Sequence, residues 1–264
     1  MNHRKPKLGQ HFLADETIVD QIIDLAALSP NATVVEIGPG LGVLTRALNA
    51  AVPDGQVLAL EVDGGLARAV VERVSKRVKI IHQDALRFDY TSVAAPYNVV
   101  SNLPYQITSP ILHTLIRSTN PPESMTLMMQ REVAERITAK PKTRERGLLT
   151  MVCEWYGVAE YGFLVPPSAF TPPPHVESAV IKLTRTSENR PDFEPFLNFL
   201  KVGFSQKRRQ IHHPLNTRFP MLHDQLDAIL AKAGIERTQR AEELTFDQWV
   251  ILFTEISHAL GINE

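Results

Sequence analysis

VVEIGPGLGVLTRAL, residues 34–48, is the stretch on which the fold reading turns. An apolar run, short enough for a strand, meets Glu36, then Gly38, Gly40 and Gly42, then an apolar pattern of helical period. Glycines at such a junction allow positive φ and let a ligand approach the backbone closely. A helix start leaves free N–H groups pointing into the same space. Working outward, QVLALEV, RVKIIHQDA, YNVVSN and MTLMMQ read as further strands, with two more at residues 159–165 and 176–184. Between them, GGLARAVVERV, SPILHTLIRS, REVAERITA and LLTMVCEWYG read as helices, and DETIVDQIIDLAAL forms one ahead of the first strand, with Asp15 as its N-cap. Alternating strands and helices predict an α/β doubly wound, Rossmann-like domain. A polar, proline-containing stretch near residues 185–195 reads as a linker, after which helical patterns follow at 194–204, 222–233 and 245–260. The expected organisation is an α/β domain over residues 1–187 and a small all-helical domain over residues 188–264.

The spacing E-x-G-x-G-x-G differs from the dinucleotide pattern, and Pro39 removes one backbone donor from the turn. A phosphate-free ligand suits it better. Glu61 closes the second strand, where an acid commonly takes a ribose diol, and Asp84 closes the third, where a carboxylate can accept from an exocyclic amine. Acids at successive strand ends beside a glycine turn describe an adenosine site without pyrophosphate, which points to S-adenosylmethionine.

Asn102-Leu103-Pro104-Tyr105 closes the fourth strand, beside the first in a sheet wound this way. Methyl transfer to an exocyclic amine needs acceptors on its N–H groups, so that the nitrogen lone pair leaves the ring and attacks. The Asn102 amide oxygen is one such acceptor, and the Leu103 or Pro104 carbonyl is a second. Tyr105 offers a stacking face. LVPPSAFTPPPHVESAV is a proline-stiffened loop presenting Phe170. Taken alone Phe170 reads as core; beside NLPY it reads as the ring closing the other face of a flipped base.

Bulk properties narrow the classes. Net charge is −1, so nucleic-acid contact must come from local patches, of which Lys5 and Lys7, and Lys207, Arg208 and Arg209, are the candidates. A single cysteine, Cys153, excludes an internal disulfide framework and fits a reducing cytoplasm. No apolar run spans a bilayer, no h-region follows the basic start, and no metal-ligand spacing repeats among the histidines, so neither membrane, secretory signal nor metal is expected.

KLGQHFL, VVEIGPGLGVLT, LALEVD, IIHQDAL, VSNLPYQITSPIL, LMMQREVAERI and VPPSAFTPPPHVESAVIKL stand in the order and spacing of one family. The chain resembles a ribosomal RNA adenine dimethyltransferase of the small-subunit type from about Lys5 to Leu183, and more weakly through FSQKRRQIHHPLN and RAEELTFDQWVIL. The resemblance implies a methyltransferase domain followed by a helical domain that meets RNA. It implies S-adenosylmethionine as donor and N6,N6-dimethylation of two adjacent adenosines near the 3′ end of small-subunit rRNA, with immature small subunits as partner; separately from the resemblance, a monomer is expected. By position, cofactor contacts fall on His11, Leu13, Gly38, Glu61, Asp84 and Asn102, and the base site on Asn102, Leu103, Pro104, Tyr105 and Phe170. His11 stands where family members often carry Asn, and His212, His213 and Pro214 depart from the usual basic continuation after Arg209. Two rival readings are a large-subunit adenine methyltransferase of the erythromycin-resistance type and a ribosome-assembly factor acting mainly by binding. A third, a transcription-factor-like offshoot of the fold as found in mitochondria, sits poorly with the short N-terminus.

Overall fold

The computed structural model describes residues 11–186 and 190–262. In chain order the strands are β1 (Phe12–Leu13), β2 (Thr33–Ile37), β3 (Gln56–Glu61), β4 (Lys79–His82), β5 (Tyr97–Asn102), β6 (Ser124–Gln130), β7 (Gly157–Val165), β8 (Phe170–Thr171) and β9 (Ser178–Arg185). The α-helices are α1 (Glu16–Ala26), α2 (Val43–Ala51), α3 (Gly64–Val71), α4 (Thr108–Arg117), α5 (Arg131–Ile137), α6 (Leu148–Tyr156), α7 (Phe193–Gly203), α8 (His212–Arg218), α9 (Leu226–Lys232) and α10 (Phe246–Ala259). The chain divides into two compact units. One holds the described residues up to Ala134 with Val158–Arg185, and the other holds Glu135–Gly157 with those from Thr186 onward.

The first unit is built on a seven-stranded sheet in the order β4-β3-β2-β5-β6-β9-β7. Pairing from β4 to β6 is parallel, and β9 runs antiparallel to β6. After β2 the chain winds outward through β3 and β4, then returns to lay β5 on the other side of β2. That reversal is the topological switch point, where a doubly wound sheet opens a crevice at its carboxyl edge. The ladder shows the opening directly. β2 and β5 pair from Thr33–Tyr97 to Val35–Val99 and no further, so their last residues splay apart. The hydroxyl of Ser101, itself buried, donates to the Ile37 carbonyl at 2.6 Å and satisfies an acceptor that the lost ladder leaves open.

Helix α1 forms where the sequence places it. Asp15 accepts from the Thr17 N–H, and Ile18, Val19, Ile22 and Ala26 turn inward. These join Val34, Leu44, Leu48 and Val57 in the unit's core. The third strand is shorter than the predicted RVKIIHQDA. At the sheet edge only β3 pairs with it, and the register covers Lys79 to His82. Two short strands far apart in sequence, β1 and β8, pair antiparallel, with Leu13 opposite Phe170. Neither has the length or alternation that marks a strand in sequence.

The second unit has its own apolar centre, with Trp249, Phe196, Leu200, Ile211 and Leu244 fully or nearly buried. Residues 135–157, which the linear reading joins to the first domain, pack here instead. Arg146 supplies much of the reason. Its guanidinium is buried and bidentate to Glu154, at 2.6 and 2.7 Å, and it donates to the carbonyls of Ala139 at 2.9 Å and Leu244 at 3.2 Å. Helix α8 also lies outside the predicted set; its Pro214 sits in the first turn, where proline removes no helical hydrogen bond. The linker expected near residues 185–195 lies between the end of β9 at Arg185 and the start of α7 at Phe193, and its residues 187–189 fall outside those described. Among the described residues no helix is long and apolar enough to cross a membrane.

Removing Arg146 leaves a half-buried carboxylate and two carbonyls without their donor, a loss of about 3–5 kcal/mol. Both tryptophans, Trp155 and Trp249, lie in this unit, so denaturant titration followed by tryptophan fluorescence reads it selectively. Arg146→Ala is expected to lower the midpoint sharply, and Arg146→Ala with Glu154→Ala to recover part of the loss. Strictly additive effects would contradict the pairing.

Candidate active site

The glycine turn after β2 is the floor of a cavity of about 490 Å³ that lies wholly in the first unit. Gly38, Gly40 and Gly42 have φ of 68°, 55° and 81°, the left-handed region that L side chains rarely adopt. Gly40 is required for a second reason: a Cβ there would lie 3.0 Å from the Phe12 ring, which packs over the turn from β1. The Gly38 N–H donates to the Leu60 carbonyl at 2.8 Å and ties the turn to the end of β3.

The cavity gathers every residue assigned to cofactor or base from the sequence: His11, Leu13, Gly38, Glu61, Asp84, Asn102, Leu103, Pro104, Tyr105 and Phe170. Glu61 is buried and accepts from the Asp63 N–H at 2.9 Å and, more weakly, from the Gly40 N–H at 3.4 Å. Asp84 accepts from the Leu86 N–H at 2.9 Å, which leaves its second oxygen facing Arg87 at 4.0 Å. Glu36, at the penultimate position of β2, is 2 % exposed, and its Oε2 has no hydrogen-bond partner in the protein. Burial pushes its carboxyl up to about 8. The Thr45 hydroxyl pulls the other way without closing a bond of ordinary geometry, and the Glu61 charge adds to the rise.

On the other side of the switch point, Asn102 is half-buried, and its carboxamide makes no hydrogen bond among the described residues. The Leu103 side chain is buried, and its N–H donates to Met128 at 3.0 Å, which fixes the backbone where it leaves β5. The Pro104 carbonyl accepts from the Ile107 N–H at 3.1 Å and the Thr108 hydroxyl at 3.4 Å, so it is already engaged in the turn into α4. No hydrogen bond reaches the Leu103 carbonyl among the described residues. Tyr105 is half-buried, which raises its phenol above the ordinary range, and its hydroxyl meets that of the fully buried Ser178 at 2.7 Å. His11 lies against the Tyr105 ring at 6.4 Å with planes 27° apart, and its Nδ1 bonds to the Pro172 carbonyl at 2.8 Å. The aromatic wall is therefore held from two loops that meet through the β1–β8 ladder.

Phe170 serves both purposes at once. It is 3 % exposed and packs in the core with Leu13, and it also lines the cavity. The sequence reading passed over Phe12, Ser101 and Ser178. The signal for Ser178 is a small polar residue where the proline-rich loop resumes a strand; the bonds of Ser101 and Ser178 to distant residues have no local sign.

Lys207, Arg208 and Arg209 are exposed on a turn of the second unit. The turn is anchored by the buried Ile211, whose N–H donates to the Gln239 carbonyl at 2.8 Å, and by a bridge between Gln210 and Arg240. That bridge brings the exposed Arg237 and Arg240 to the same neighbourhood, and the charges of Arg209 and Arg237, after burial and His212, help hold the His213 imidazole below its ordinary value. Lys5 and Lys7 lie outside the described residues. No group of three or more His, Cys, Asp or Glu placed to hold a metal occurs among the described residues.

A family model described as ribosomal RNA adenine dimethylase matches residues 1–258. The "Ribosomal RNA small subunit methyltransferase A" of Listeria monocytogenes serovar 1/2a is 37% identical over 273 residues, covering 97% of this chain and 90% of that one. The protein of the same name from Oceanobacillus iheyensis is 35% identical, covering 93% and 87%. Among solved structures, a dimethyladenosine transferase from Plasmodium falciparum superposes with a TM-score of 0.79 at 25% identity, over 96% of this chain and 99% of that one. The 23S rRNA methyltransferase ErmE superposes with a TM-score of 0.73 at 26% identity, over 93% and 99%.

The buried Glu36 carboxyl carries a pH signature. It holds its proton in the folded protein up to about 8, whereas the unfolded chain releases it near 4.5. Between those values the folded state binds the extra proton, so stability falls as pH rises through that window and is level above it. In the ligand-free protein, Glu36→Gln is expected to flatten this slope and raise the melting temperature most above about pH 8. An unchanged pH profile of melting would show that Glu36 is not a buried acid.

Proposed function

The chain belongs to the ribosomal RNA adenine dimethylase family, and on that premise we propose how its residues act on small-subunit ribosomal RNA. It is an rRNA adenine dimethyltransferase that uses S-adenosylmethionine. The reaction is N6,N6-dimethylation of two adjacent adenosines near the 3′ end of the RNA, in the cytoplasm, on the immature small subunit and as part of its biogenesis. A monomer is the working form in this reading.

The cavity's chemistry fits the donor. Glu36, Glu61 and Asp84 line it, and no lysine or arginine does among the described residues, as suits a ligand that carries positive charge and no phosphate. Pro39 in the glycine turn withholds the N–H that a pyrophosphate cradle would use. Glu61 and Asp84 would hold the ribose and adenine ends. When bound, S-adenosylmethionine supplies a methyl group made electrophilic by its sulfonium.

The observation that carries the mechanism is the unengaged Asn102 carboxamide at the splayed end of β5. Its oxygen accepts one hydrogen of the target amine. The Leu103 carbonyl accepts the other, since the Pro104 carbonyl is committed to its own turn. Two acceptors favour a pyramidal nitrogen with its lone pair free to attack. Tyr105, pinned by Ser178 and backed by His11, presents a fixed face for the base, with Phe170 as the opposing wall. The exposed Lys207, Arg208 and Arg209, with Lys5 and Lys7, are assigned to RNA phosphates, which position without reading sequence. Relatives bearing the small-subunit name favour that substrate over the large-subunit RNA on which ErmE acts.

Small subunits from a dimethylation-deficient strain, incubated with the protein and labelled donor, are expected to gain methyl groups that stop primer extension near the 3′ end. A stop confined to large-subunit RNA would overturn the assignment. Asn102→Ala is expected to bind S-adenosylmethionine within about threefold of wild type and to lose at least about a hundredfold in transfer rate. Transfer near the wild-type rate would remove Asn102 from the mechanism. Arg208→Glu with Arg209→Glu is expected to weaken subunit binding most at low to moderate salt and to reduce the salt slope by about one unit for each phosphate left unneutralised. Identical salt curves would take that turn out of the interface.

A further inference from the structure

Ser178 does not line the cavity, yet its hydroxyl governs how the Tyr105 ring stands there. The two hydroxyls meet at 2.7 Å, Ser178 is fully buried, and among the described residues neither hydroxyl has a second hydrogen-bond partner. The sheet gives this bond a fixed frame. Ser178 opens β9 opposite Gln130 of β6, and Asn102 closes β5 opposite Met128 of the same strand. The acceptor at Asn102 and the tip of the Tyr105 ring are therefore both referred to β6, at positions two residues apart. Without the bond, the ring keeps its stacking face but loses the tie that sets its angle to that acceptor.

Two methyl groups go onto one nitrogen, and the two transfers meet a different base. In each, the nitrogen lone pair forms the new N–C bond, the S–C bond breaks with its electrons staying on sulfur, and the nitrogen then gives one proton to solvent. The first transfer acts on an amine with two N–H groups, one for the Asn102 oxygen and one for the Leu103 carbonyl. The second acts on an amine with one N–H left, so one acceptor faces a methyl group and a hydrogen bond is gone. In-line geometry then depends more on the stacking walls, and a small misplacement of the reacting atoms slows transfer steeply. We propose that Ser178 is a positioning residue for the second methyl transfer: it holds the Tyr105 ring at the angle that keeps the monomethylated base in line once one N–H contact is lost. The inference rests on the dimethyltransferase reading above, and it names what in this fold carries the reaction from one methyl to two.

Small subunits from a dimethylation-deficient strain are incubated with excess protein and S-adenosylmethionine, and nucleosides from the digested RNA are resolved by mass into N6-methyladenosine and N6,N6-dimethyladenosine. Over a time course the wild type should pass quickly to the dimethylated product. Ser178→Ala should accumulate N6-methyladenosine, with the ratio of second to first transfer rates lowered at least about fivefold. Tyr105→Phe removes the same bond and keeps the ring, so it should lower the ratio to within about twofold of the Ser178→Ala value. The double variant should be no lower than either single one, because both remove one and the same bond. A buried serine that serves only packing would slow both transfers alike. An unchanged ratio in Ser178→Ala, however slow the enzyme, would therefore overturn the proposal, and so would effects that multiply in the double variant. If Ser178→Ala does not fold or gives too little product to resolve, Tyr105→Phe decides alone, and an unchanged ratio there overturns the proposal. No methylation of either adenosine by the wild type would overturn the dimethyltransferase reading itself, and this inference with it.

Discussion

The parting of β2 from β5 is the constraint on which the site depends. A parallel ladder satisfies the backbone of both strands only while they run together, and here it stops at Val35 and Val99. Past that point the edge must be satisfied some other way, and the solutions become the site. Ser101 caps Ile37 from the side, the glycine turn folds back to the end of β3 through Gly38, and Leu103 bonds to Met128 as it leaves the sheet. Each bond is a modest contribution, about 0.5–1.5 kcal/mol, yet together they fix where Glu36 and Asn102 stand on either side of the opening.

The two ligand chemistries proposed for this chain demand opposite fields, and their candidate residues fall in different units. The cavity is lined by carboxylates and suits a cation, while the exposed Lys207–Arg209 turn, with Arg237 and Arg240 nearby, suits a polyanion. Their sum is a net charge of −1, so bulk composition conceals both. Charge at this scale is informative only when assigned to a surface.

What could be read from sequence was local. Gly38 and Gly40 of the glycine turn, the acid closing β3, the acid two residues past β4, and NLPY each announce themselves within a few residues, and the cavity brings them together. What could not be read was set by partners far along the chain. β1 and β8 are strands only because they find each other, across more than 150 positions, and neither has a pattern of its own. Ser178 looks like an ordinary strand serine until Tyr105 arrives against it. Residues 135–157 read as a continuation of the first unit because the sequence carries no break there; the buried Arg146 guanidinium, bonded to Ala139, Glu154 and Leu244, draws them to the other core. Helix α8 was hidden by its own composition, two histidines and a proline, which weaken any helical signal.

The β1–β8 ladder also sets a schedule. Phe12 and Leu13 are among the first described residues, and their partners Thr171 and Phe170 come almost two-thirds of the way along the chain. During synthesis the glycine turn, the strand-end acids and Asn102 all emerge before the ladder can close over them. A nascent chain that has not passed Thr171 holds the chemical groups of a methyltransferase without the packed wall that orients them. A protein whose substrate is the ribosome's own RNA therefore leaves the ribosome that makes it with its pocket completed late, from both ends of the domain at once.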